Sequence, residues 1–252
     1  MKIMALIAVI FSSIVLMLSG CTPPGPVTTK NFDISGFDEV ESSGGWTVEI
    51  IPSENYSVSV TANDNLFNYV QVSLSGKTLK IETRGFYFYP GATLKARVTM
   101  PGLKGLKFSG ASSGIVHGFK STGSFEIESS GASLLDIDVE TDKFSTDVSG
   151  AGRIKGRLKA ANADIHASGA GHINLEGSAD TASLEVSGGS SVTMPDFTVM
   201  DASVNLSGGS HASLTVNRQL DANLSGGSRL DYGGNPTLRK VNVSGGASLK
   251  PR

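Results

Sequence analysis

A chain of 252 residues has room for one large or two small domains. Its formal net charge of -2 is spread along the chain, which argues against a nucleic-acid binder that needs a basic face. Thirty-one glycines beside few aromatics would suggest disorder if the glycines were scattered, and they are not.

The first residues, "MKIMALIAVIFSSIVLMLSGC", place Lys2 before an apolar run from Ile3 to Leu18, with Ser19 and Gly20 leading to Cys21. A run this short, ending in small residues, reads as a secretory signal over 1–20 and not as a membrane span. Leu18-Ser19-Gly20-Cys21 resembles the bacterial lipoprotein box. That resemblance implies cleavage before Cys21, thioether lipidation of its sulfur and acylation of the new terminus. With Thr22 following, it implies the outer membrane, on either face. Cys21 is the only cysteine, so the mature chain has no thiol for a disulfide, a thiolate nucleophile or a metal site. Residues 21–30, rich in Pro and Thr, read as an extended tether.

From residue 31 a β-solenoid is expected to run to 252, with 31–104 as N-terminal cap and first coils. "VESSGGWTVEI" (40–50) puts Val40, Val48 and Ile50 on one face. "VQVSLSGKTLKIE" (70–82) reads as a hairpin with a Ser-Gly-Lys turn. In "RGFYFYPGA" (84–92) alternation sets Phe86 and Phe88 on one face and Tyr87 and Tyr89 on the other. With the phenylalanines on the core, the tyrosines would form an outward stacking platform; Trp46 is weighed with them as a ligand-binding ring.

Over 105–252 the phrase Ser-Gly-(Ala/Gly) recurs at Ser109, Ser130, Ser149, Ser168, Ser187, Ser207, Ser225 and Ser244, at intervals of 18–21 residues. A fixed period of this length means a solenoid. One and three residues before each serine the positions are mostly apolar, as at Val186 and Leu184. The position between is polar: Lys107, Glu128, Asp147, His166, Glu185, Asn205, Asn223 and Asn242. Apolar positions resume five and seven residues after the serine, as at Ile173 and Leu175. Each unit is strand, sharp glycine corner, strand and a less regular return. About 19 residues per unit with no helical period predicts an all-β, right-handed parallel β-helix-like solenoid with like residues stacked about 4.8 Å apart. Asn205, Asn223 and Asn242 are expected to form an outward amide ladder. Lys250, Pro251 and Arg252 would blunt the last strand edge.

"FDEVESSGGWTVEI", "YSVSVTANDNLFNYVQVSLSGKTLKIE" and the Ser-Gly-Gly coils together resemble a bacterial family of auto-transporter adhesin heads, or GIN domains, over roughly 32–248. The resemblance implies a β-helix-like solenoid on secreted or lipid-anchored proteins and, by the family's name, adhesion. It carries no catalytic or binding residues.

β-Helices also host polysaccharide lyases and glycosidases, and the latter need two carboxylates facing one cleft. The densest acidic stretch, "LLDIDVETD", places Asp136 and Asp138 outward, aligned with Lys155 and Arg157 of the next coil. Cross-coil ion pairs are expected there, with a catalytic or calcium-binding role as the alternative. His172 and His211 share a column two coils apart, too far for one ion, and His166 and His172 diverge around a corner, so no metal site is expected. "GAGRIKG" (150–156) has the wrong spacing for a dinucleotide loop. No cofactor and no catalytic residue is implied. The reading is a lipid-anchored envelope solenoid acting as a non-catalytic adhesin-like binding or scaffold module. Its partners are the membrane through Cys21 and a glycan or envelope protein. A polysaccharide-active enzyme and a purely structural lipoprotein are the alternatives.

Overall fold

The computed structural model describes residues 25–85 and 91–252, so Cys21, Tyr87 and Tyr89 lie outside the described residues. The strands are β1 (Val27–Phe32), β2 (Glu39–Gly44), β3 (Thr47–Pro52), β4 (Ser57–Asn63), β5 (Val70–Ser75), β6 (Thr78–Thr83), β7 (Leu94–Met100), β8 (Gly105–Gly110) and β9 (Ser113–Lys120). There follow β10 (Ser124–Ser129), β11 (Leu134–Val148), β12 (Arg153–Ala167), β13 (His172–Val186), β14 (Ser191–Leu206), β15 (His211–Leu224), β16 (Arg229–Gly233), β17 (Thr237–Val243) and β18 (Ser248–Pro251). They form an all-β solenoid of about eight turns with about 19 residues per turn.

Two parallel ladders run the length of the stack. One passes from β6 through β2, β8, β10 and the second halves of β11 to β15, ending at β17. The other passes from β7 through β3, β9 and the first halves of β11 to β15, ending at β16 and β18. Coil order departs from chain order at the N-terminal end. The coil made by β2 and β3 lies between the later coil of β6 and β7 and the coil of β8 and β9. The end is closed by antiparallel strands: β5 hairpins onto β6, β4 lies on β7, and β1 lies on β4. The expected hairpin is there, turning at Gly76 with φ +64°. Regular pairing starts at Val27, four residues inside the stretch read as tether, because β4 offers β1 a complete edge.

The inward columns are continuous. Ile127, Thr146, Ile165, Leu184, Val204 and Ala222 stack in register and are buried. On the other face Ile137, Leu175, Met194 and Leu214 are buried too, with Gly156 in register between the first two and a register shift between β13 and β14. No single coil could bury these residues alone, so the stack is the folding unit.

The corner explains the repeated phrase. Glycines 110, 131, 150, 169, 188, 208, 226 and 245 all have φ between +69° and +79°. From Gly131 onward, a Cβ there would sit 2.7–3.0 Å from the carbonyl oxygen of the glycine one coil below. Only glycine meets both demands. The next residue, from Ala111 to Gly246, donates its N–H to that same carbonyl at 2.7–2.9 Å, so the hydrogen-bond ladder continues around the bend. Two residues past each glycine the chain places a small inward residue: Ser112, Ser133, Gly152, Gly171, Ser190, Ser210 and Ser228. The serines of this column are buried, and Ser112 and Ser210 donate to the carbonyls of Ser109 and Val186.

Candidate ligand-binding grooves

Strand β11 carries its acids outward between two basic neighbours. Lys155 contacts Asp136 at 3.0 Å, Arg157 contacts Asp138 at 2.8 Å and Lys159 contacts Glu140 at 2.8 Å. From the other side His117 reaches Asp136 at 3.3 Å and Lys120 reaches Glu140 at 3.2 Å. The expected cross-coil pairs are therefore formed, in the register β11 shares with β12. Partial burial pushes the Asp136 carboxyl up, but hydrogen bonds from Lys155 and His117 outweigh it and hold the group below its ordinary value. Hydrogen bonds from Lys159 and then Lys120 do the same for Glu140, that from Arg218 does so for Asp201, and that from Arg229 does so for Asp231. A glycosidase general acid needs a carboxyl held protonated, which is the opposite shift.

The histidines are dispersed. His117, His166 and His211 each face one carboxylate, Asp136, Glu185 and Asp231 respectively. His172 and His211 share a column with Ser191 between them. Among the described residues no group of three or more His, Cys, Asp or Glu side chains could hold a metal ion.

Trp46 corrects the expectation of an exposed ring. It is fully buried, and its indole N–H donates to Thr83 Oγ1 at 3.1 Å. It occupies the inward column that later coils fill with Ser112 and Ser133.

Concave surface lies elsewhere, and two of its grooves stand out among the described residues. At the third bend of the coils, a groove of about 740 Å³ has a floor of Ala160, Ala179 and Val199, with Lys120, Lys159 and Asp180 on its rims. Ala160, Ala179 and Val199 stack in register along this floor. The second groove follows the Ser-Gly corner along the solenoid axis. A stretch of about 350 Å³ between Glu41 and Asp147 continues into one of about 460 Å³ from Asp147 to Asn223, with Asp147 common to both. One wall is the row of corner serines; the other is the outward column of Lys107, Glu128, Asp147, His166, Glu185, Asn205 and Asn223. Asn205, Asn223 and Asn242 stack in register as expected, but no hydrogen bond joins their amides. The column was visible in the sequence. Its position beside a concave surface depends on the depth of the bend, which periodicity does not report.

Stacked parallel coils, a glycine corner and open axial grooves define a β-solenoid. The chain belongs to the family described as "Putative auto-transporter adhesin, head GIN domain", whose model matches residues 36–236. Crystal structures share the fold. A putative adhesin from Parabacteroides merdae has a TM-score of 0.83 at 21% identity, covering 90% of this chain and 97% of that chain. A putative adhesin from Parabacteroides distasonis has a TM-score of 0.77 at 20% identity, with 90% and 98% covered. A protein from the same organism described as a putative lipid binding protein has a TM-score of 0.76 at 22% identity, with 90% and 97% covered. No curated protein matches the chain.

Proposed function

We propose that this chain is a non-catalytic binding or scaffold module of the bacterial cell envelope, anchored in the outer membrane through lipidated Cys21. It presents the flank of its solenoid to a glycan or an envelope protein. The observation that carries the reading is the state of the carboxylates: the acidic β11 is neutralised rung by rung by β9 and β12, while the concave surfaces lie open along the axis. Membership of an adhesin-like family agrees with it. Two or more acyl chains on one cysteine would anchor the protein stably, where a single chain would not. The test is retention of full-length protein on isolated cell envelopes and on intact cells of a second species, with Cys21→Ser as the anchoring control. Saturable retention of wild type, with Cys21→Ser lost from the membrane fraction, supports the proposal. Failure of wild type to bind any envelope or cell preparation overturns the binding role, and hydrolysis of an envelope polysaccharide overturns the non-catalytic one.

A further inference from the structure

The axial groove beside the Ser-Gly corner changes character along its length. From Lys107 to Glu185 its outward wall is ionic, with Lys107 on Glu128 and His166 on Glu185. Beyond Glu185 the wall is uncharged: Asn205 and Asn223 line the groove together with Ser187, Ser207 and Ser225. Among the described residues none of these two amides and three hydroxyls has a hydrogen-bond partner, and both asparagines are exposed. A ladder built to hold register would link its amides to each other, and this one does not.

We infer that this stretch, from Ser187 to Ser225 with Asn205 and Asn223 as principal contacts, binds an uncharged extended glycan lying along the solenoid axis. The inference rests on the binding role proposed above and names its ligand class. Hydroxyl and primary amide groups both donate and accept, as sugar hydroxyls do. They recur at the coil spacing of about 4.8 Å. A polymer with a similar repeat meets the same pair of groups at each coil, and successive weak contacts reinforce one another along one chain. Other ligand classes fit less well. An anionic polymer requires cations, and the nearest ionic member of the wall is Glu185. A peptide adding as a strand requires free backbone, and the strands lining this stretch are paired on both edges. An acyl chain requires an apolar lining, and Val186 and Leu206 turn inward and are buried.

Full-length protein in mild non-ionic detergent, co-sedimented with microcrystalline cellulose, insoluble xylan or chitin, tests the inference. Wild type is expected to sediment saturably with at least one of the three. Asn205→Ala/Asn223→Ala is expected to bind at least tenfold more weakly with an unchanged melting temperature. Asn162→Ala, outward on another side and bonded to Thr181, is expected to bind as wild type. Sedimentation of the double variant equal to wild type overturns the assignment of the groove. No sedimentation of wild type with any of the polymers overturns the glycan class, while retention on envelopes and cells would leave the broader binding role standing.

Discussion

Gly44 and Gly110 lie far apart in the chain and stack as adjacent corners of the solenoid: the Ala111 N–H donates to the Gly44 carbonyl at 2.9 Å, and a Cβ on Gly110 would come within 3.0 Å of the Gly44 nitrogen. The glycine column therefore begins at Gly44, and the excursion through β4 to β7 is an end closure built around a coil that is already part of the stack. This ties the cap to the rod.

The corner yields a contrast within one turn. Gly188 has φ +70°, and its Cβ would lie 2.7 Å from the Gly169 carbonyl oxygen. Gly189 has ordinary φ and its Cβ would clear the same atom at 3.7 Å, in a position where other coils carry Ala132, Ala151 and Ala170. Gly188→Ala should cost about 2 kcal/mol or more, from left-handed strain plus the backbone clash. Gly189→Ala should change stability by about 0.5 kcal/mol or less. Denaturant unfolding of the two variants checks this, and equal effects would refute the account of the corner.

Trp46 is the chain's single tryptophan and is fully buried, so its emission reports the N-terminal end of the stack. It should be blue-shifted in the native protein and unmoved by any ligand that occupies the axial groove. Trp46→Ala removes a large side chain from a packed site and leaves Thr83 without its donor, and should cost about 3–5 kcal/mol. Fluorescence titration and thermal unfolding measure the two outcomes; quenching by bound polymer would place the ring at the ligand after all.

Much of the fold was legible because one coil is a short word repeated. Positions around each Ser-Gly alternate so regularly that Ile165, Leu184 and Val204 fall in one column by counting alone. The same alternation held the answer for Trp46, which stands two residues before Val48 and four before Ile50, on the inward face. The spatial order of the first coils was not legible. Residues 39–52 and 78–100 both offer apolar-alternating strands, and which coil lies outermost is decided by the antiparallel strands that close the end. The grooves were hidden for a related reason: alternation says which residues face outward, such as Lys159 and Asn205, and not how concave the surface they line is.

Acid should weaken the protein in a defined window. Asp231 is mostly buried and held below its ordinary value of 3.8, chiefly by the hydrogen bond from Arg229 and then by that from His211. Asp136 and Glu140 are shifted the same way by their lysine partners. A depressed folded-state value means that the unfolded chain takes up protons first. The stabilisation is therefore complete above about pH 5 and lost as pH falls through about 4 and below. Melting temperature measured from pH 7 to pH 3 should fall steeply only at the acidic end. Asp231→Asn should lower the neutral-pH value and flatten that fall; an unchanged slope would show that the loss arises elsewhere.

The paired face of β11 and β12 separates a solvated ion lattice from a catalytic cleft. Asp138 and Arg157 keep 39% and 71% of their side-chain surface, so water screens their attraction at 2.8 Å. Exposed pairs of this kind contribute about 0–1 kcal/mol. Asp138→Asn should therefore shift stability by about 1 kcal/mol or less, with the effect shrinking as salt is raised past about 0.5 M. Asp136→Asn/Asp138→Asn should leave polymer binding unchanged, because these carboxylates lie on a different face from the Asn205 and Asn223 amides. A catalytic pair would behave otherwise: product release from a labelled polysaccharide would be measurable with wild type and abolished in the double variant. Finding that pattern would convert β11 from a neutralised surface into an active site.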